Sequence, residues 1–354
     1  MHTPVSVVMP VLNEADHLEA AVSAVLAQQW PAGMEVVLAV GPSSDGTEQV
    51  ADELATRDSR VVVVPNPSGR TADALNAAIA ATRHPVIVRV DAHTELPAGY
   101  IATAVNTLAR TGADNVGGIM WPQGRTPFEK AVAVAMTSPI GVGAAAYHTG
   151  GLEGPCESVY LGVFRKSALH RVGGYDSRFT RAQDWEMNHR IIETGGVVWF
   201  NPELRVTYRP RPTLRALARQ YFQYGQWRRV VMRQHSRTLF RPSALRYLAP
   251  PALCVAIALS FAAGILRAVR GPVSGLGGLL IDLSISVPAA YAVAITAAAA
   301  IIGRRVAARS LMWLPLVITA MHISWGLGFI RGASAAFSRM DSRDALPPST
   351  TVDE

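Results

Sequence analysis

The sequence predicts an α/β fold, a largely parallel sheet flanked by helices, followed by a helical region that crosses a membrane. Three observations carry this expectation. Between residues 5 and 90, short apolar strands alternate with helix-length segments, the pattern of a parallel sheet with right-handed crossovers. After Tyr247 the apolar runs 248–266, 279–302 and 311–330 each approach the roughly 20 residues that a bilayer span needs. The apolar strand at 86–90 ends abruptly in Asp91-Ala92-His93, at the sheet edge where open α/β folds place ligands.

The elements follow in order. The first strand is 5–10, and Asn13-Glu14 opens an amphipathic helix running to about residue 29. The second strand is 34–40, and Gly41-Pro42-Ser43-Ser44-Asp45-Gly46-Thr47 turns into a helix rich in Asp and Glu. A third strand at 60–64, a helix at 72–81 and the fourth strand at 86–90 come next. Another helix and strand lie between 100 and 121, and the small apolar residues 131–146 form a flexible or partly helical wall. A strand at 162–166, a turn at 172–176 and a helix from about 184 to 194 follow. Domain boundaries are expected at 1–204 for the α/β domain, 205–247 for basic amphipathic interfacial helices, 248–332 for the spans and 333–354 for a polar tail.

Composition narrows the function classes. The chain is 49% hydrophobic and 17% charged, too apolar for an ordinary soluble protein. Its net charge of +7 is local: residues 205–246 hold eleven arginines and no acid. With no recognition module present, this segment reads as a membrane-facing cytosolic stretch rather than a nucleic-acid site. No signal peptide precedes the first strand, so the α/β domain is expected in the cytosol, and three spans put the carboxyl terminus outside. Cys156 and Cys254 make neither a disulfide framework nor a zinc site. No Gly-x-Gly-x-x-Gly follows the first strand and no Walker sequence occurs, which removes support for the usual dinucleotide and P-loop readings. Nothing in the sequence sets the oligomeric state.

Asp91 and His93 stand at i and i+2, on one side of an extended backbone, and together offer two ligands for one divalent cation. A strand followed by an Asx turn with an incidental histidine is the other reading.

Several motifs together carry a resemblance. They are Val7-Val8-Met9-Pro10-Val11-Leu12-Asn13-Glu14, the Ser44-Asp45-Gly46-Thr47 turn, Asp91-Ala92-His93, Gly173-Gly174-Tyr175-Asp176 and Gln183-Asp184-Trp185-Glu186. Over about residues 4–235 the chain resembles inverting family 2 glycosyltransferases of the GT-A, nucleotide-diphospho-sugar transferase, fold. Arg89-Val90-Asp91-Ala92-His93, Gln183-Asp184 and the stretch from Arg215 to Phe222 with Tyr224-Gly225 are similar to the membrane-attached succinoglycan-type glucosyltransferase group.

The resemblance implies a nucleotide-sugar donor, UDP-linked, held by Pro10, Leu12, Asn13, Glu14, Asp45, Arg70, Asn76 and Asp91. Relatives carry one or two acids just after the second strand; here Val40 and Gly41 stand there. The metal pair of the family is usually Asp-x-Asp, so the resemblance implies Asp91 and His93 as ligands, and an imidazole favours Mn2+ over Mg2+. Asp184 is implied as the general base that takes the acceptor proton. A helix N-cap with a surface acid is the alternative for that position. Arg228 and Arg229 lie where processive relatives carry diphosphate-clamping residues, although the motif is incomplete and lipid headgroups are their other partners. Glu157, Glu186 and Trp227 are implied on the acceptor side.

The expected activity is sugar transfer to a polyprenyl-diphosphate-linked glycan at the cytosolic face of a bacterial inner membrane, in exopolysaccharide or envelope synthesis. A polyprenyl-monophosphate sugar synthase and an inactive transferase-like membrane scaffold are the alternatives.

Overall fold

A computed structural model describes residues 3–235, 244–271 and 275–332; the expected tail at 333–354 lies outside the described residues. The chain separates into two compact units, Met1–Leu214 with Ala292–Thr319, and Arg215–Tyr291 with Ala320–Glu354.

The first unit runs β1 (Val5–Val11), α1 (Leu18–Leu26), β2 (Met34–Val40), α2 (Thr47–Arg57), β3 (Val61–Pro65), α3 (Thr71–Ala81) and β4 (Val86–Arg89). It continues with α4 (Tyr100–Thr111), β5 (Asn115–Pro122), α5 (Pro127–Met136), α6 (Pro139–Val142), α7 (Ala146–Thr149), β6 (Gly154–Pro155) and β7 (Tyr160–Arg165). Then come α8 (Lys166–Arg171), α9 (Gln183–Glu193) and β8 (Val198–Tyr208). The strands form one sheet in the order β3-β2-β1-β4-β7-β5-β8-β6. β1 to β4 are mutually parallel where they pair, β7 runs antiparallel between β4 and β5, and β8 returns parallel to β5.

Two-residue periodicity divides β1 between two cores. Val5, Val7 and Met9 pack with residues of α1 and α4 on one face, while Val8 packs with α3 and with Met187 and Ile191 of α9 on the other. The result is the predicted three-layer α/β arrangement, buried on both faces as a parallel sheet requires.

Two expectations need correction. The first helix starts at Leu18, not at Asn13, because residues 13–15 bind the neighbouring turn instead. The wall expected at 131–146 is partly helical, as read: it holds most of α5, closed at its start by a Thr126–Glu129 capping box, with two further short helical turns. Strand β8 was not predicted, and it crosses the boundary drawn at 204. Its pairing with β5 shifts register between Gly117 and Ile119, and Pro202 lies in the skipped stretch of β8. Proline lacks the N–H a regular ladder needs, and it hid the strand.

The second unit contains α10 (Leu214–Gln234, its first residue belonging to the first unit), α11 (Ala244–Arg270) and α12 (Gly275–Ile285). α13 (Val287–Ile302), α14 (Ala308–Leu311) and α15 (Leu314–Arg331) complete the described chain. Arg246–Arg270, Gly277–Ile302 and Ala308–Arg331 are each long and apolar enough to cross a membrane, matching the three expected runs. Gly225 and Gly328 let α10 and α15 touch backbone to backbone: a Cβ on either would meet the carbonyl oxygen of Trp325 or Phe222 near 2 Å (2.1 and 2.0 Å). Asp282, the acid inside the second run, pairs with Arg267 at 3.2 Å.

Candidate active site

Strand order places the site. The chain leaves β1 on one side for β2 and β3, then returns to the other side for β4. The carboxyl ends of β1 and β4 therefore flank a topological switch point, the crevice where open α/β sheets bind ligands.

After β1, Asn13 is left-handed (φ 53°) and its side-chain oxygen accepts from the Ser44 N–H at 2.9 Å. The Glu14 N–H donates to Thr47 Oγ1 at 2.8 Å, and the Ala15 N–H to Asp45 Oδ2 at 3.2 Å. Asp45 Oδ1 in turn accepts from the Thr47 N–H (3.1 Å) and hydroxyl (2.5 Å). The Thr47 hydrogen bond, ahead of those from the backbone, holds the Asp45 carboxyl below its ordinary range despite some desolvation. Asp45, expected at the nucleotide, staples two loops with both oxygens. Pro10 lies in β1 opposite Ala39, and the half-exposed Leu12 overhangs Gly41. A Cβ on Gly41 would stand 3.1 Å from Leu12 and 3.2 Å from the Gly69 backbone, tighter than an ordinary contact, so a side chain there requires a neighbour to give.

At the end of β4, buried Arg89 donates to Asp91 Oδ1 from Nε (3.2 Å) and Nη2 (3.0 Å) and also pairs with Asp184. Burial works most strongly against the guanidinium charge, yet the Asp91 carboxylate together with Tyr175 and Tyr160 outweighs it and raises the Arg89 pKa. The Thr94 N–H donates to the Asp91 carbonyl at 2.9 Å, so Asp91 and His93 belong to a turn and not to an extended strand. Asp91 and His93 therefore do not share one side of an extended backbone as expected, although both stand at this edge. His93 Nδ1 lies 2.8 Å from Glu14 Oε1. This hydrogen bond first, with help from the charges of Asp91 and Glu14, raises the His93 pKa in spite of desolvation.

Asp184 is the second residue of α9, directly after Ala182 in a left-handed conformation (φ 60°). With Asn13 and Leu161 (φ 47°), these are the non-glycine residues of positive φ among the described residues, and strained backbone of this kind gathers at functional sites. A buried polar chain fixes α9: Asn115 Nδ2 donates to Asn188 Oδ1 at 2.6 Å, and Asn188 Nδ2 to Ser158 Oγ at 3.1 Å. Glu186, expected on the acceptor side, is 1% exposed and holds Arg190 through two 2.7 Å hydrogen bonds. Its carboxylate faces the interior, which corrects that expectation. Asn76 is likewise engaged, donating to the Tyr175 carbonyl at 2.7 Å and accepting from its N–H at 2.8 Å, so it clamps the Gly173-Gly174-Tyr175 turn. Exposed Arg70 opens α3, and Glu157 precedes the amino end of antiparallel β7, which lies at the same sheet edge.

Arg228, Arg229 and Trp227 belong to α10 in the second unit. The Arg228 guanidinium lies 4.2 Å over the Tyr247 ring, and Arg229 donates to the carbonyls of Phe329 (3.1 Å) and Ile330. Arg229 thus caps the carboxyl end of α15, a favourable place for a cation, rather than standing free for a diphosphate. Arg89 stands in the Arg89-to-His93 motif without an expected role of its own. The signal was there: an arginine inside an otherwise apolar buried strand needs a charged partner.

The family model for glycosyl transferase family 2 matches residues 6–173. The chain is 35% identical over 231 residues to the succinoglycan biosynthesis protein ExoA of Rhizobium meliloti, covering 65% of this chain and 70% of that protein. It is 20% identical over 240 residues to the dolichyl N-acetyl-alpha-D-glucosaminyl phosphate 3-beta-D-2,3-diacetamido-2,3-dideoxy-beta-D-glucuronosyltransferase of Methanococcus voltae, covering 65% and 74%. Its fold is similar to that of the mannosyltransferase PcManGT from Pyrobaculum calidifontis, solved in complex with GDP-Man and Mn2+. That match has a TM-score of 0.59 at 22% identity over 93% of this chain and 88% of the other, and it shows the GT-A fold. The enzyme is a hexosyltransferase. By its identity to the Rhizobium meliloti protein and its coverage of it, the chain belongs to glycosyl transferase family 2.

Proposed function

We propose that this enzyme is a membrane-attached inverting transferase. It moves a sugar from a nucleotide-sugar, UDP-linked, to a polyprenyl-diphosphate-linked glycan at the cytosolic face of a bacterial inner membrane, in exopolysaccharide or envelope synthesis. The observation that carries the reading is the Arg89 bridge, which ties Asp184 to Asp91 at the switch point of the sheet. Asp184 accepts the proton of the acceptor hydroxyl as that oxygen attacks the anomeric carbon. Pro10, Leu12, Asn13 and Arg70 line the donor side, and Glu157 the acceptor side. The domain order is a catalytic domain first, then the basic segment that meets headgroups, then the spans.

One carboxylate oxygen and one imidazole nitrogen suit a transition-metal ion better than Mg2+, which prefers all-oxygen shells, and this supports Mn2+. When bound, such an ion neutralises charge developing on the diphosphate leaving group. Mn2+ stands in the name of the Pyrobaculum calidifontis complex, and a dolichyl-linked sugar phosphate in that of the Methanococcus voltae enzyme. Both names support a metal-assisted transfer to a lipid-linked acceptor.

The test is a panel of nucleotide-sugars offered to membranes that carry the full chain, with lipid-linked acceptors and either Mn2+ or Mg2+. One donor is expected to give metal-dependent product of inverted anomeric configuration. Asp184→Asn is expected to lower kcat by at least about 100-fold, the range of general-base catalysis, with an unchanged thermal midpoint. Transfer that survives this substitution would show that Asp184 is not the base.

A further inference from the structure

The Glu14–His93 hydrogen bond joins the loop after β1 to the turn after β4, two segments 79 residues apart in the chain. Glu14 is held in place from both sides. Its own N–H is bound by Thr47, the next N–H by Asp45, and the preceding Asn13 is left-handed. Its carboxylate is largely shielded (side chain 18% exposed), whereas the His93 side chain is 57% exposed. A carboxylate acceptor on Nδ1 puts the proton of a neutral imidazole on that nitrogen, so Nε2 keeps the lone pair. Metal-binding histidines are ordinarily held this way, the second ring nitrogen donating to a carboxylate that fixes tautomer and ring orientation. On the neighbouring ligand, Arg89 engages only Oδ1 of Asp91; Oδ2 accepts no hydrogen bond among the described residues.

We propose that Glu14 is a positioning residue of the metal site and not a nucleoside contact. It acts through His93, presenting Nε2 to a divalent ion that Asp91 shares through Oδ2. This inference rests on the proposed metal role of Asp91 and His93. It leaves two protein donors, and oxygens of the donor diphosphate and water complete the shell.

The experiment uses the full chain in detergent, with Mn2+ alone as one probe and UDP alone, in chelator, as the other. Wild-type protein should bind Mn2+ and show the spin-echo modulation of a directly coordinated imidazole nitrogen. Glu14→Ala is expected to weaken Mn2+ binding about 10- to 100-fold and to lose that modulation, leaving UDP affinity in chelator unchanged. Glu14→Gln keeps an oxygen that accepts from Nδ1 and should recover most of both signals. In a His93→Ala background, Glu14→Ala should change Mn2+ affinity no further. Glu14→Ala with Mn2+ affinity and nitrogen modulation intact would overturn the proposal. So would a variant that loses UDP affinity in chelator while sparing Mn2+. Wild-type protein that binds UDP but no Mn2+ would instead remove the metal role of Asp91 and His93, a failure distinct from that of Glu14.

Discussion

Arg89 is buried and faces two acids, so its replacement leaves carboxylates without their counter-charge. Arg89→Leu should cost about 2 kcal/mol of stability, less than a fully buried pair, because Asp184 is substantially exposed and screened. Arg89→Lys should recover part of this, and chemical denaturation reads the difference. Glu35 is the second residue-scale case. Its side chain is 2% exposed and accepts from Ser6 (2.6 Å), the Arg83 N–H (2.7 Å) and Arg83 Nε (2.7 Å). Burial, the largest influence, pushes its pKa up, but these hydrogen bonds together outweigh it and bring it below the ordinary 4.5. A depressed carboxyl stabilises the fold above about pH 4.5 and loses that contribution as pH falls through the lowered folded value. Glu35→Gln should therefore cost about 1–3 kcal/mol at neutral pH and flatten the acid limb of a stability-against-pH curve. At this scale the sequence singles out Asp91 and His93 as candidates by type and setting, and Asp184 through its motif's resemblance. It did not disclose that Glu186 and Asn76 are engaged inside, because their partners Arg190 and Tyr175 are set by tertiary packing.

Elements with a clear period were legible, and those interrupted by special backbone were not. β2 spans the same residues in expectation and structure, since an apolar run broken only by Glu35 suits a strand buried on both faces. α1 was started too early because Asn13-Glu14 resembles a helix opening, whereas the left-handed Asn13 turns the chain toward β2 first. Contact between α10 and α15 was not readable at all, as two glycines about 100 residues apart carry no local signal of each other. Gly328→Ala should force those helices apart and lower the thermal midpoint in detergent, by about 1–3 kcal/mol in free energy. The same substitution at Gly264, whose nearest contact is Ile285 at 4.0 Å, should be nearly silent.

For the whole molecule, composition alone announced an α/β unit followed by apolar helices, because the surplus of apolar residues lies after Tyr247. Three helices of spanning length predict that the full chain sediments with membranes, resists alkaline carbonate and is released only by detergent. Release by carbonate or salt would argue against spans. The overall domain order was legible, while the placing of Ala292–Thr319 with the first unit was not, since it depends on contacts such as Phe128 against Trp313 (5.6 Å).

The Asp45 staple bears on how such chains are recognised. A carboxylate that fastens two loops is retained for foldability, whatever becomes of the chemistry beside it. The Ser44-Asp45-Gly46-Thr47 signature is therefore a mark of ancestry, and the matched region 6–173 ends before Asp184. A descendant that had lost Asp184 would still be collected by that model. Sorting working enzymes from relics in genome surveys should weigh Asp184 beside Arg89 and Asp91, because Asp184 lies outside the matched region.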